Sequence, residues 1–324
     1  DGSQNTTFKF PETEFSGFHE NLKYGARRAK LAWYTIDPLF FRNSAITPPN
    51  INKNIVLENG NSIEQQSYHY VREVLETEVF PNKDPEFGSQ ITNMPILDIA
   101  YYPSKRGPYN YSVDGLNSQG QLDSPKESWG GIMRKLETND FQSANIEFIE
   151  FWMMDPFNEE DGLGINHSGG DMYIQLGNIS EDILKDGYKS FEHGFPTTQI
   201  VENVDTTAWG RVPTNFSIVE AFDNDPQSRK FQDVGLDGLS DDDEELFFDS
   251  IYISKLQSTF GTTSNAYLQA LEDPSADNFH YYRGTDFDNS STEILNRYID
   301  YNNPDGNSVT TDESPESYPT AASN

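Results

Sequence analysis

The chain has no cysteine, which excludes disulfides, cysteine-ligated metals and cysteine nucleophiles. Small secreted domains of the animal type are usually stapled by disulfides, so this absence argues against that class and suits a bacterial envelope protein. Positive charge is scarce: 22 Lys and Arg stand against 53 Asp and Glu, a formal net charge of −31. Binding nucleic acid needs Lys and Arg to displace phosphate counterions, so this chain is expected to avoid nucleic acid. The same charge repels anionic membrane surfaces and favours solubility. No apolar run approaches the roughly 20 residues of a membrane-spanning helix, and no secretory leader is visible. The chain opens on Asp1 rather than Met, which reads as a mature product or an excised piece of a longer protein.

Catalytic signatures are also missing. There is no Gly-x-Ser-x-Gly elbow and no phosphate-loop lysine, and Gly162-Leu-Gly-Ile-Asn-His167 lacks the third glycine of a dinucleotide loop. His19-Glu20 is not followed by a second histidine at zinc-protease spacing, and the five histidines (His19, His69, His167, His193, His280) are scattered. The reading is a non-enzymatic chain with no required cofactor. Glycoside hydrolysis stays open at this level, because two carboxylates matter only when a cleft holds them at the right separation.

What is present is aromatic. Phe (22) and Tyr (17) are abundant enough to build a core although hydrophobic residues total only 35%. Aromatic richness favours strands, and 23 Gly with 18 Pro imply many turns. Residues 1–90 read as an N-terminal arm and helix. The apolar stretch Leu31–Ile36 is stopped by Asp37-Pro38, since proline cannot donate to a ladder. Residues 62–80 fit a helix, with Ser62 and Gln65 at capping-box spacing, Tyr70, Val71, Val74, Leu75 and Val79 at helical intervals, and Pro81 as a stop.

Residues 91–215 read as strands and turns: Pro95–Tyr102, Ile132–Leu136, Asn145–Met154 and Met172–Leu176. In Asn145–Met154 both alternating faces are largely apolar, which predicts a strand buried between layers. A membrane-barrel strand would show one polar face, and fits less well. Antiparallel strands joined by such turns suggest a mainly β fold, an antiparallel β-sandwich of jelly-roll type with a few short helices and long acidic loops. Residues 216–302 are an acidic loop and short-helix region, with helices expected at Glu244–Leu256, Ser264–Glu272 and Ser291–Tyr301. Residues 303–324 read as a linker or tail.

Between residues 221 and 250 ten acids face only Arg229 and Lys230. Calcium prefers six to eight oxygen ligands on a chain that glycine allows to turn tightly. In Asp233-Val-Gly-Leu-Asp237-Gly-Leu-Ser-Asp-Asp-Asp243, the candidate calcium ligands are Asp233, Asp237, Asp241 and Asp243, though the spacing is not that of an EF-hand. The alternative is a solvated loop entering a helix whose N-terminus favours Asp241–Glu245. Trp129, Trp209, Tyr281 and Tyr282 are candidate sugar platforms of a secreted jelly-roll carbohydrate-binding module, against the alternative that they are core.

Several long strings resemble the SprA/Sov family, the outer-membrane translocon of type IX secretion. They include Arg28–Phe41, His69–Val74, Trp129–Arg134, Asn145–Pro156, Gly177–Ile183, Asp233–Gly238 and Asp273–Gly284. The resemblance implies a soluble portion of a giant outer-membrane β-barrel of secreting and gliding bacteria. It would serve as pore lining, cap or docking surface at the cell surface, in the periplasm or inside the pore. It also implies partners: a PorV-like gate protein, a periplasmic plug and secreted cargo. No catalytic residues are implied.

Overall fold

Strand β1 (Ala29–Tyr34) begins where Arg28 bridges Trp129 and ends just before Asp37-Pro38. The computed structural model describes residues 22, 25–42, 45–57, 59–82, 92–132, 140–154, 170–174, 176, 183, 204–207, 210–213, 233, 235 and 237–301. Asp37 turns the chain: its Oδ1 accepts the Leu39 N–H at 2.8 Å and starts a 3-10 turn over Pro38–Phe41. A short hairpin follows, β2 (Asn54–Val56) against β3 (Ser62–Glu64), and then a one-turn helix α1 (Glu76–Val79). Strand β4 (Asp98–Arg106) runs antiparallel to β1 with Tyr34 opposite Asp98 and Lys30 opposite Tyr102. The register then jumps so that Ala29 faces Arg106. The jump falls at Pro103, which has no N–H for the ladder, and the extra residues bulge out. They are not wasted: Ser104 accepts the Leu122 N–H and Lys105 bridges Gln121. Beside the bulge, a Cβ on Gly107 would sit 2.4 Å from the Ala29 carbonyl oxygen, so only glycine allows this approach.

The backbone pairs β5 (Val204–Thr207) with β6 (Gly210–Pro213). The C-terminal part is helical. Helix α2 (Asp241–Phe248) passes through a π-type turn at Asp249–Ile253 into α3 (Ser254–Phe260), which ends at Gly261 with φ +86°. Helix α4 (Asn265–Glu272) is capped by Ser264, whose Oγ accepts the Tyr267 N–H. Helix α5 (Thr285–Asn289) and a 3-10 turn at Leu295–Tyr298 complete the described chain.

Two apolar cores meet along β1. In the first, Ala29, Tyr109 and Tyr111 pack with Phe248, Tyr252 and Leu256 of the helical part. In the second, Ala32 and Tyr34 pack with Phe40, Tyr282, Ile294 and Tyr298. Tyr298 is stacked between Tyr34 (centroids 4.4 Å apart) and Tyr282 (4.8 Å). Buried phenols need partners, and Asp37 supplies them: its Oδ2 accepts from the Tyr282 hydroxyl, and its N–H donates to the Tyr298 hydroxyl. Arg297 is fully buried here, and its Nη1 reaches Asp288 at 2.8 Å.

Three expectations need correction. Residues 62–80 are not one helix. Ser62–Glu64 pairs with β2, and the buried Gln65 side chain turns inward to accept the Ile294 N–H. Tyr68 and Val71 enter the second core, and Met94 donates to the Val74 carbonyl. Tertiary partners thus take the apolar side chains and backbone groups that a helix would have used. Residues 146–154 are not a buried strand either. They carry no regular structure and are exposed, Phe148 at 74% and Trp152 at 69%. An apolar run with two apolar faces needs cover on both, and the ring contact Phe80–Trp152 is partial cover at best. The helix expected at Ser291–Tyr301 is reduced to the 3-10 turn, because Thr292 turns its carbonyl to Asn50 and Arg297.

The expected strand Pro95–Tyr102 overlaps β4 from Asp98 on, the expected helix Glu244–Leu256 falls within α2, the π-type turn and α3, and Ser264–Glu272 is α4 with its cap. Met172–Ile174 and Leu176 are exposed and without regular structure. Most of the arm at 1–30, the Ile132–Leu136 strand beyond Ile132, and the tail at 303–324 lie outside the described residues. So does much of the 91–215 region for which the jelly roll is expected.

Candidate metal centre

Where the first core meets the helical part, three chain segments bring carboxylates together over a floor from a fourth. The acidic loop contributes Asp237, whose Oδ1 accepts the Leu239 N–H at 3.0 Å and so folds the loop back on itself. Helix α2 opens with Asp241, Asp242, Asp243 and Glu244, a run that the positive helix N-terminus favours. Helical spacing turns Glu244 inward, where it is 1% exposed. The loop after α4 supplies Asp273 and Asp277. The end of β4 and the following turn form the floor: Arg106 donates to the carbonyls of Asp273 (2.7 Å) and Pro274 (2.8 Å), and the Tyr109 N–H donates to the Ser275 carbonyl.

Ser275 is the hub. Its N–H donates to Glu244 Oε2 at 3.1 Å, its Oγ donates to Asp237 Oδ2 at 3.1 Å, and it also bonds the Tyr111 hydroxyl at 2.8 Å. The next residue, Ala276, has φ +58°, which bends the loop so that Asp277 points back toward Ser275's partners. The Asp277 N–H donates to Asp273 Oδ1. Asp237, Glu244 and Asp277 each place an oxygen within 4.8 Å of the others, and Asp241, Glu244 and Asp273 form a second such group through the shared Glu244.

Crowding and burial act on every carboxyl here. Burial foremost, then the charges of Glu244 and Asp237, push Asp277 well above the usual carboxylate range. Burial and the Asp237 charge raise Glu244. Burial also raises Asp237, against the opposing bonds from Leu239 and Ser275. Asp273 is raised by burial, with the Arg106 charge working the other way. Asp241 is pushed up to about 7 by burial and then by Asp273. Each cause is the same physics: a carboxylate loses hydration and faces like charge.

Of the four ligands expected from sequence, Asp237 and Asp241 fall in these groups. Asp233 lies beside them, its Oδ2 accepting the Phe279 N–H at 3.0 Å. Asp243 stays on the helix surface, where it accepts from Ser240 Oγ. Sequence reasoning missed Glu244, Asp273 and Asp277. The pair Asp273 and Asp277 stood in a recognisable string, but nothing local linked it to a loop some 40 residues earlier. The aromatic platforms are engaged within the protein: Trp129 donates from Nε1 to the Ala26 carbonyl beneath the Arg28 guanidinium, and Tyr282 is in the second core. Trp209 lies outside the described residues.

Residues 251–324, from the end of the π-type turn through the Asp273–Asp277 loop and beyond, match the SprA_N family model, described as motility related/secretion protein. The match, over this C-terminal segment, supports membership of the SprA/Sov family. Comparison with curated proteins finds no match. The SprA_N segment supplies Asp273 and Asp277, while Asp237 and Glu244 come from the chain just before it. A motility- and secretion-related protein of this family works at the cell envelope. Among the described residues no helix is long and apolar enough to cross a membrane.

Proposed function

We propose that this chain is a non-enzymatic portion of the type IX secretion translocon, a docking or pore-lining piece of a giant outer-membrane channel. The observation that carries the reading is the SprA_N match across residues 251–324. Two features support it. The net charge of −31 keeps such a surface soluble and repels anionic lipid and nucleic acid. The exposed apolar run 146–154, with the exposed 172–174 further along the chain, presents β-prone residues that a strand of the parent barrel, a PorV-like gate protein or a plug subunit would cover. A jelly-roll sandwich over 91–215 is the architecture we assign to this portion. It works outside the membrane or within the pore, and its partners are the other secretion subunits and folded cargo.

The test is an in-frame deletion of residues 22–301 in the protein that carries this chain. Cargo should accumulate inside the cell and gliding should stop, while the truncated protein still reaches the outer membrane at normal level. Unchanged secretion with the truncated protein in place would remove this reading. A milder probe is a double substitution, Phe148→Glu with Trp152→Glu, which should weaken co-purification of partner subunits and leave the two cores folded.

A further inference from the structure

We propose that Asp237, Glu244 and Asp277 bind one calcium ion, which ties the acidic loop and helix α2 to the loop that follows α4. Three observations lead there. The three carboxylates come from separate segments, yet their oxygens converge within 4.8 Å. Asp277 is 3% exposed, and its Oδ2 has no hydrogen-bond partner. A buried carboxylate oxygen without a donor is costly to keep unless a charge meets it. Finally, among the described residues no Lys or Arg forms an ion pair with any of the three. Arg106, on the floor of this corner, donates to the carbonyls of Asp273 and Pro274, and the Lys30 ammonium goes to Asp300.

The backbone is shaped around the same oxygen. Gly235 has φ +54°, and a Cβ there would lie 2.0 Å from Asp277 Oδ2. The loop therefore presses on the buried carboxylate oxygen that lacks a donor. The donor set is all oxygen and, once a cation displaces its protons, carries three negative charges, which selects a hard cation over zinc or copper. Calcium accepts carboxylates in one- or two-oxygen modes with irregular geometry, whereas magnesium demands a near-ideal octahedron and retains several waters. Buried carboxylates converging from three segments match the first requirement better. The second group, Asp241, Glu244 and Asp273, is the lesser candidate because it does not include the unpartnered Asp277 Oδ2; Asp273 accepts from the Asp277 N–H, and Asp241 is bonded by Asn278.

The experiment uses the full chain, stripped with a chelator and melted across calcium chloride and magnesium chloride series. Calcium at about a hundred times its dissociation constant should raise the folded-to-unfolded ratio about a hundredfold, with a matching rise in melting temperature. In Asp277→Asn and Glu244→Gln the calcium response should vanish, while the melt in chelator should stay at or above that of wild type, because like-charge repulsion is relieved. Asp243→Asn, on the helix surface, should respond as wild type does. Terbium provides a direct readout: Tyr111, bonded to Ser275 within the site, should sensitise its luminescence, and excess calcium should quench it. An unchanged wild-type melt would overturn the proposal. So would an equal calcium shift in Asp277→Asn and Glu244→Gln, since that would mean calcium acts only on the general acidic surface. A magnesium shift equal to that of calcium would overturn the choice of ion.

Discussion

Around Arg297, each nitrogen of a fully buried guanidinium has an acceptor: Thr292 O at 3.0 Å, Asp288 Oδ1 at 2.8 Å and Asn50 Oδ1 at 3.4 Å. The rings of Phe40 and Phe287 flank it at 5.6 and 5.8 Å. Around Asp277, by contrast, like charges gather and one buried oxygen has no donor. Both corners take ionisable groups out of water, and both draw on residues of the family-matched segment. The difference is closure. The tyrosine core satisfies its own polar groups, whereas the carboxylate corner is arranged for a charge from outside the chain. A buried ion pair contributes little net stability once formed, but breaking one is expensive, because the remaining charge stays buried.

That contrast can be broken from the closed side first. Arg297→Ala should cost about 3 kcal/mol, the lower end for a broken buried pair because Asp288 is half-exposed. Urea unfolding at neutral pH measures it, and a loss under about 1 kcal/mol would mean that water fills the gap and the core is not closed. The open side is sharpened by Gly235→Ala. A left-handed φ costs an alanine about 1–2 kcal/mol, and the added methyl collides with Asp277 Oδ2. The same change should therefore weaken calcium binding and lower the melt together, whereas strain alone would lower the melt and leave the calcium response intact.

Smaller effects test the tyrosine core further. Tyr298→Phe keeps the ring stack but strips the acceptor from the Asp37 N–H, and should cost about 1 kcal/mol. Tyr282→Phe removes the donor to Asp37 Oδ2 instead. The double variant should lose less than the sum if Asp37 couples the two hydroxyls. The smallest effect is a pH slope at the edge of β4. Burial pushes the Asp98 carboxyl up to about 6. Its folded value thus lies above its unfolded value near 3.8, so the folded state holds the proton more tightly between these limits. This group's contribution is fully present below about pH 4 and is lost as pH rises through about 6. Asp98→Asn should remove that fall, read as a flatter melting temperature across pH 4 to 6 relative to wild type. The group is partly solvated, so the slope is small.

Much of the local structure was legible. The run into Asp37-Pro38 marked where β1 stops, Pro95–Tyr102 overlapped β4, and the helices expected at Glu244–Leu256 and Ser264–Glu272 marked α2 to α4. Asp237 and Asp241 were legible as members of an acidic site because they stand in a dense acidic run that Gly235 and Gly238 allow to turn. The helix expected over 62–80 shows why the rest was hidden. Its spacing was genuinely helical, yet Gln65 answers to Ile294, 229 positions away. Glu244 read as one of five acids at a helix start, and only its inward turn onto Ser275 sets it apart from Asp243.

By itself, then, the amino-acid order determined what acts over a few residues: caps, proline stops, glycine turns, the acidic balance and the absence of cysteine chemistry. It also carried the strings that resemble the SprA/Sov family. Tertiary structure alone decided which apolar residues go inside, as the exposure of 146–154 shows, and which acids converge. The physical reason is range. Propensity and capping are settled by neighbours within one turn, whereas burial and like-charge crowding depend on segments that meet only after the chain has folded.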